Sequence, residues 1–471
     1  MQKRLVISLV ILAIASSFCS NAMSQSTKSK RTVKPLPKAT EKRSGITPIL
    51  VKSFSDQVSQ LINVNGVLFF EGYDDIYGHE LWKSDGTEKG TALVKDVFQG
   101  DNYDNLGNFF AFDRTLYFTA DDGTKRFGRE FWKSDGTAEG TAMVKDTQPG
   151  GQYIPNQLWH KSNMGQLNSI LFFTSHTDLW KSDGTEQGTI LVKKGHGGDN
   201  GIIKKVVSIK NALYFHNTYE LWRSDGTEAG TIELYKWGKR IPGNITELTT
   251  FHGKLILAAD GELWLSDGTV TGTKLLKDIR LGPENSDPQS LTVVGQTLYF
   301  AANDGVHGNE LWKSDGTEAG TVLVKDIIPG FEGKTIANTA DVNGILYFSF
   351  GPSNRFDGGE TYLYKSDGTE SGTVAVRKFG PSTVLSEFTV VNENLFFVME
   401  TGSMGSKYSL YKSNGTETGT MEIKEYFPGP SELTPINNML FFVGPMETSP
   451  TAFKRQFALW KIDMNSAANT K

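Results

Sequence analysis

Apolar residues recur along this chain in short runs with the alternation of β-strands. The run VLFFEG at 67–72 follows a polar turn, and a second run, ELWKS, occupies 80–84. Alternation with a period of two predicts strands, whereas a helix would place apolar residues three and four positions apart. Asn65-Gly66 precedes the first run, and both residues accept the positive φ angles of a tight hairpin. The pattern therefore predicts an all-β chain built from hairpins.

The strand pattern repeats nine times, and each repeat contains up to four predicted strands, A to D. An aromatic residue in strand C marks each repeat, and successive markers lie 42 to 52 residues apart. The markers are Trp82, Trp132, Trp180, Trp222, Trp264, Trp312, Tyr364, Tyr411 and Trp460. A period of about 40–50 residues is typical of four-stranded propeller blades.

The two ends of the repeat array complement each other. The ninth repeat ends with ALWKID at 458–463 and has no strand D, while TPILVKSF at 47–54 matches a strand D but has no blade. Pairing 47–54 with the blade formed by 433–463 closes the ring and leaves no open edge. We predict a single closed propeller of nine blades. An eight-bladed ring with one displaced repeat is the alternative, because propellers commonly have about four to eight blades.

The repeated phrase ELWKSDGT resembles the repeat of a bacterial family of exported ELWxxDGT proteins. The resemblance covers 47–463, and SDGT is intact in seven repeats. Repeat eight departs with SNGT at 413–416, and repeat nine retains only LWKID at 459–463. The resemblance implies a β-propeller and export from a bacterium. It implies no established activity and therefore no catalytic residues.

The SDGT phrase has two interpretations. It could form a ligand or calcium loop in every blade, or a hairpin in which Asp-Gly makes the turn and the hydroxyl groups bind nearby amides. Turn chemistry at every position favours the hairpin. The repeated strand-D lysines, such as Lys95 and Lys325, are expected to lie along apolar surface or to pair with carboxylates on adjacent strands.

The N-terminal 24 residues predict a secretory signal peptide. Lys3 and Arg4 precede an apolar stretch from Leu5 to Phe18 that is short for a membrane span. A membrane anchor or a lipoprotein signal at Cys19 are the alternatives. Cleavage after Ser24 would leave a mature chain with no transmembrane segment and no cysteine, because Cys19 is the only one. We expect an exported protein without disulfides in the periplasm, on the cell surface or outside the cell.

Residues 25–46 predict a basic disordered linker, and 464–471 a short C-terminal tail. The leader and linker contribute +8 to the total charge of −5, so the remaining chain carries −13. An acidic body is not expected to bind nucleic acid.

Strands A to D run alternately up and down, so the D–A and B–C connections share one face. We call it the loop face, and the opposite face, with the short A–B and C–D turns, the turn face. Length variation concentrates on the loop face, where binding surfaces are usually built. The aromatic side chains of its longest connections are the predicted ligand-binding residues: Tyr153, Trp159, His160, Tyr73 and Tyr77.

No catalytic motif stands out in the sequence. Asp74, Asp121, Asp122 and Asp304 in the B–C loops could bind calcium or act as acid and base, although such Asp-Gly segments usually form turns. No other cofactor is expected. The sequence favours an exported, non-catalytic propeller that binds or scaffolds a protein or glycan through its loop face. The alternative is an exported glycan-active enzyme, a lyase or hydrolase, with its site at the mouth of the central tunnel.

Overall fold

Nine antiparallel sheets of four strands form a closed β-propeller. The computed structural model describes residues 44–98, 106–121, 129–147, 164–175, 177–195, 202–236, 244–327, 329, 334–352, 358–402, 406–446 and 456–465. These ranges contain 36 strands, and no helix in them is long and apolar enough to cross a membrane. The prediction of nine blades rather than eight is confirmed.

In blades 1 to 8, strands A to D follow chain order from the axis outward. Blades 1 to 3 are β2 (Val58–Val64), β3 (Val67–Asp74), β4 (Gly78–Ser84), β5 (Ala92–Lys95); β6 (Leu106–Phe112), β7 (Thr115–Ala120), β8 (Glu130–Ser134), β9 (Ala142–Lys145); and β10 (Met164–Leu167), β11 (Ile170–Ser175), β12 (Asp178–Ser182), β13 (Ile190–Lys193). Blades 4 to 6 are β14 (Lys205–Ile209), β15 (Ala212–His216), β16 (Glu220–Ser224), β17 (Ile232–Lys236); β18 (Ile245–Phe251), β19 (Lys254–Ala259), β20 (Glu262–Ser266), β21 (Lys274–Lys277); and β22 (Gln289–Val294), β23 (Thr297–Asn303), β24 (Asn309–Ser314), β25 (Val322–Lys325). Blades 7 and 8 are β26 (Lys334–Val342), β27 (Ile345–Pro352), β28 (Glu360–Ser366), β29 (Val374–Pro381); and β30 (Thr383–Val391), β31 (Asn394–Thr401), β32 (Lys407–Ser413), β33 (Met421–Tyr426). Blade 9 joins β34 (Ser431–Ile436), β35 (Met439–Pro445) and β36 (Phe457–Asp463) to β1 (Ile49–Phe54).

The N-terminal strand closes the ring as predicted. β1 pairs antiparallel with β36, and Phe54 lies opposite Phe457. Val51 and Phe54 are almost fully buried. The Phe54 ring meets Trp82 of blade 1 edge-on at 5.3 Å, so β1 also packs blade 9 against blade 1.

The SDGT phrase forms a hairpin whose polar groups bind one another. In blade 1, Ser84 Oγ and Thr91 Oγ1 are 2.7 Å apart, and the Gly86 amide donates to Ser84 Oγ at 2.9 Å. Asp85 Oδ1 accepts from both the amide and the hydroxyl of Thr87, and these bonds lower the pKa of Asp85. The serine–threonine hydroxyl pair recurs in blades 1 to 8. These bonds favour the structural interpretation of the phrase.

The same hairpin is also a contact point between blades. Gly86 has a φ of 89°, and a Cβ added there would lie 3.0 Å from Cζ of Phe441 in blade 9. Phe69 of blade 1 packs against Gly136 of blade 2 in the same way. Glycine is therefore required both for the backbone angle and for the approach of the neighbouring ring.

Lysines of strands C and D bind the next blade. Lys83 Nζ donates to the Gly136 carbonyl at 2.8 Å, and Lys95 Nζ donates to the Thr141 carbonyl at 2.7 Å. Backbone carbonyls thus replace the expected carboxylate partners of Lys95 and Lys325, whereas Lys236 and Lys378 of strand D pair with Glu220 and Glu360 on the adjacent strand C. The carbonyls accept these hydrogen bonds because the SDGT hairpin of each blade exposes its carbonyls toward the preceding blade.

Strand β1 should be essential to stability because it buries Phe54 between blades 9 and 1. We expect Phe54→Ala to lower the free energy of unfolding by about 3–5 kcal/mol, the cost of deleting a buried aromatic ring. Leu50→Ala in the same strand is the matched control, because Leu50 is 41% exposed. Urea denaturation of both variants checks this. Equal stability of the two variants would contradict closure of the ring by β1.

Candidate functional site

The predicted binding residues fall into two groups. Tyr153, Trp159 and His160 lie outside the described residues. Tyr73 is half-buried and Tyr77 is 40% exposed, both at the B–C loop of blade 1.

Tyr73 is part of a packed group below the loop tip. It pairs with His79 across β3 and β4, and the two rings lie 4.9 Å apart. His79 Nδ1 is 3.6 Å from the buried Glu71 carboxylate, which accepts a 2.6 Å hydrogen bond from Ser59. These contacts fix the base of the loop.

An aspartate shapes the tip of the blade 1 loop. Asp74 Oδ1 accepts hydrogen bonds from the amides of Ile76 at 2.9 Å and Tyr77 at 2.8 Å. This is an Asx-type turn, in which a short side chain replaces a backbone acceptor. The Ile76 side chain at this tip is 80% exposed.

Blade 6 carries the same tip. Asp304 Oδ1 accepts from the amides of Val306 and His307, both at 2.9 Å, and Val306 is 75% exposed. Asp304 also binds His307 Nδ1 at 2.7 Å, which raises the pKa of His307. Asp74 and Asp304, considered as calcium or acid–base residues, therefore both hold turns. Among the residues that the structure describes, no group of three or more His, Cys, Asp or Glu side chains could hold a metal ion.

The connection from blade 5 to blade 6 lies against the blade 6 tip. A Cβ added at Gly305 would lie 3.0 Å from Nε of Arg280, so the arginine packs directly on this loop. Arg280 forms an ion pair with Glu284. The next residue, Leu281, is 86% exposed. Leu281 in this connection and Val306 in the blade 6 tip thus lie on adjoining segments, each between charged residues.

The most exposed large apolar side chains of the described chain all lie on the loop face. They are Leu281, Ile76 and Val306, at 86%, 80% and 75%. The next is Val270 at 57%, in a C–D turn on the turn face. We did not predict these aliphatic residues from the sequence. The sequence feature that could have identified them is a branched apolar residue within an Asp- and Gly-rich loop. Neither strand alternation nor turn chemistry requires an apolar residue there.

The glutamate of the ELW phrase is a buried structural group. Glu80 is fully buried and accepts hydrogen bonds from the amides of Val97 at 2.7 Å and Phe98 at 3.1 Å. Burial raises the pKa of Glu80 to about 8, despite these bonds, and the nearby Asp96 raises it further. A carboxylate bond to an amide 17 positions later recurs at Glu262 with Ile279, Glu310 with Ile327 and Asp178 with Gly195. This residue therefore anchors the start of the D–A connection.

Comparison with known proteins finds only weak structural likenesses. No family model and no curated protein matches this chain. Among solved structures, it resembles puromycin hydrolase at 14% identity over 74% of this chain and 60% of that one, with a TM-score of 0.39. It also resembles a prolyl endopeptidase at 11% identity over 83% and 54%, with a TM-score of 0.45. Porphyromonas gingivalis dipeptidyl peptidase 4 matches at 8% identity over 86% and 65%, with a TM-score of 0.48. The chain spans about three fifths of the length of these proteins, and likenesses this weak indicate no activity for it.

Stability should depend on the protonation of Glu80. Its pKa in the folded protein, about 8, lies above the ordinary value of 4.5. The stability that depends on protonated Glu80 is therefore complete below pH 4.5 and is lost as the pH rises through 8. Glu80→Gln should flatten this dependence, since each unit of pKa shift corresponds to about 1.4 kcal/mol. Urea denaturation from pH 5 to 9 measures it.

The exposed Glu88→Gln variant in the same blade is the control for Glu80→Gln. It should follow the wild type across the pH range. If Glu80→Gln also followed the wild type, a protonated Glu80 would be ruled out as a source of the dependence.

Proposed function

We propose that this β-propeller is an exported, non-catalytic binding protein that docks a protein partner with its loop face. The observation that carries the proposal is the position of Ile76, Leu281 and Val306, the three most exposed large apolar side chains described. Exposed aliphatic residues on short polar loops contribute nothing to the core of the propeller. Burial of each in an interface would contribute about 1.5–3 kcal/mol.

The charged residues around these side chains suit the rim of an interface. Arg280 and Glu284 flank Leu281, while Asp304 and His307 flank Val306. Protein interfaces commonly place apolar residues at the centre and polar, solvent-accessible groups around them. The blade 6 surface has this arrangement on a small scale.

The tips are also held in shape before a partner arrives. Asp74 binds two amides of one tip, and Asp304 binds two amides of the other. Loops that are already ordered lose less conformational entropy on binding, so more of the contact energy appears as affinity.

The aliphatic character of the tips favours a protein over a glycan. Saccharide rings are usually bound on aromatic faces, whereas Ile76, Leu281 and Val306 offer branched surfaces that fit apolar pockets of a protein. Glycan binding at the loop face would depend instead on the predicted aromatic residues Trp159 and Tyr153. A protein ligand and a glycan ligand would therefore contact different residues.

Site-specific cross-linking tests the face that is used. A photoreactive benzoylphenylalanine at position 76, 281 or 306 should cross-link the exported protein to one discrete protein in cells of the source organism. The same group at 270, on the turn face, should not. Cross-linking only from 270, or to no protein from any of the three positions, would contradict the proposal, as would turnover of a polysaccharide by the purified chain.

Affinity for that partner should depend on the tips. We expect Ile76→Ser and Val306→Ser each to weaken binding by about tenfold or more, the consequence of losing an interface anchor worth about 1.4 kcal/mol or more. Val270→Ser is the matched control and should leave the affinity unchanged. Calorimetric titration of the three variants measures this, and equal affinities would remove the tips from the interface.

A further inference from the structure

A polar cavity opens at the axis on the turn face, across the propeller from the loop tips. It measures about 570 Å³ and is formed by the ends of strands A and the A–B turns of blades 2, 3 and 4. Its polar lining comprises Asp113, Gln166, Asn168, Ser169, Ser208 and Lys210. Strand A is the innermost strand of each blade, so the cavity lies at the mouth of the central tunnel. Its size falls within the range of about 300–1,000 Å³ that is typical of small-ligand sites.

The turns that line this cavity carry side chains at the second turn position, as do those of blades 6, 8 and 9, whereas blades 1, 5 and 7 have glycine there. Gly66, Gly253 and Gly344 occupy the second turn position of blades 1, 5 and 7 with positive φ angles. In blade 3 the two positions are Asn168 and Ser169, with φ angles of 51° and 61°.

A left-handed backbone is costly for a serine and costs nothing for a glycine. Blade 2 repeats the pattern with Asp113 and Arg114 at φ angles of 44° and 61°. The hairpins would form at least as well with glycine. Of these turn residues, Asp113, Asn168 and Ser169 line the cavity.

The lining chemistry narrows the ligand class. Asp113 and Lys210 contribute one charge of each sign, so the cavity has no net preference for an ion. Gln166, Asn168, Ser169 and Ser208 supply amide and hydroxyl groups that both donate and accept hydrogen bonds. Phe112 and Leu167 add apolar surface at the same site.

We propose that this cavity binds a short neutral saccharide. Sugar hydroxyl groups also donate and accept, and the apolar face of a sugar ring suits the ring of Phe112. The site lies on the opposite face from the docking surface proposed above, and neither depends on the other.

The test uses the full exported chain and a panel of neutral di- and trisaccharides, including maltose, cellobiose, chitobiose and their trimers. Saturation-transfer NMR should identify at least one that binds below 10 mM. The double variant Asn168→Gly/Ser169→Gly removes two lining side chains but suits the left-handed turn, so it should fold with unchanged or higher thermal stability. It should lose at least tenfold in affinity.

Asn343→Gly makes the same backbone change in blade 7, outside the cavity, and should bind like the wild type. Undiminished binding by the folded double variant would overturn the assignment of the site. Binding of no saccharide in the panel, or of free amino acids but no saccharide, would overturn the ligand class.

Discussion

The hydrogen-bonded pairing of β1 with β36 is the constraint on which the rest of the propeller depends. Each blade buries its two apolar faces against its neighbours, so the array is complete only when blade 9 meets blade 1. β1 supplies both the missing outer strand and the Phe54 ring that packs on Trp82. The pairing also covers the outer edge of β36 and gives the backbone of β1 a partner, both of which would otherwise be open to other chains. The contacts between the other blades recur around a ring that the β1–β36 pairing closes.

The repeated SDGT hairpin explains how a cysteine-poor chain can hold such a ring together. The hairpin satisfies its own hydroxyl and carboxylate groups, so its exposed carbonyls are free to receive lysines from the preceding blade. Lys83 and Lys95 bind blade 2 in this way, and Lys52 of β1 extends over the Trp82 ring at 5.4 Å across the closure. Because the SDGT hairpins serve to hold the blades together, we expect function to depend on residues outside them. We propose that those residues are the loop tips on one face and the turns that line the axial cavity on the other.

The sequence predicted the blade number, the strand order and the closure, because marker spacing and the unmatched ends at 47–54 and 458–463 constrain them directly. It did not predict the partner of Lys95 or the amide bonds of Glu80, because both depend on the path of a connection after the strand ends. The position of Leu281 beside the blade 6 tip depends on the contact of Arg280 with Gly305. Local patterns carry no information about such contacts between loops. Tyr77 was predicted as a ligand-binding residue, whereas its neighbour Ile76, which is twice as exposed, was not predicted.

Disulfide trapping tests the closure most directly. Ile49 and Lys461 are opposite each other in the β1–β36 pair, and the sequence contains only Cys19 to interfere. In a Cys19→Ser background, Ile49→Cys/Lys461→Cys should form an intramolecular disulfide on mild oxidation, since directly opposed strand residues lie within the usual span of about 4.4–6.8 Å between Cα atoms. Ile49→Cys/Phe457→Cys, which joins opposite ends of the pair, should remain reduced. A reduced first variant, or equal oxidation of both, would contradict a ring closed by β1.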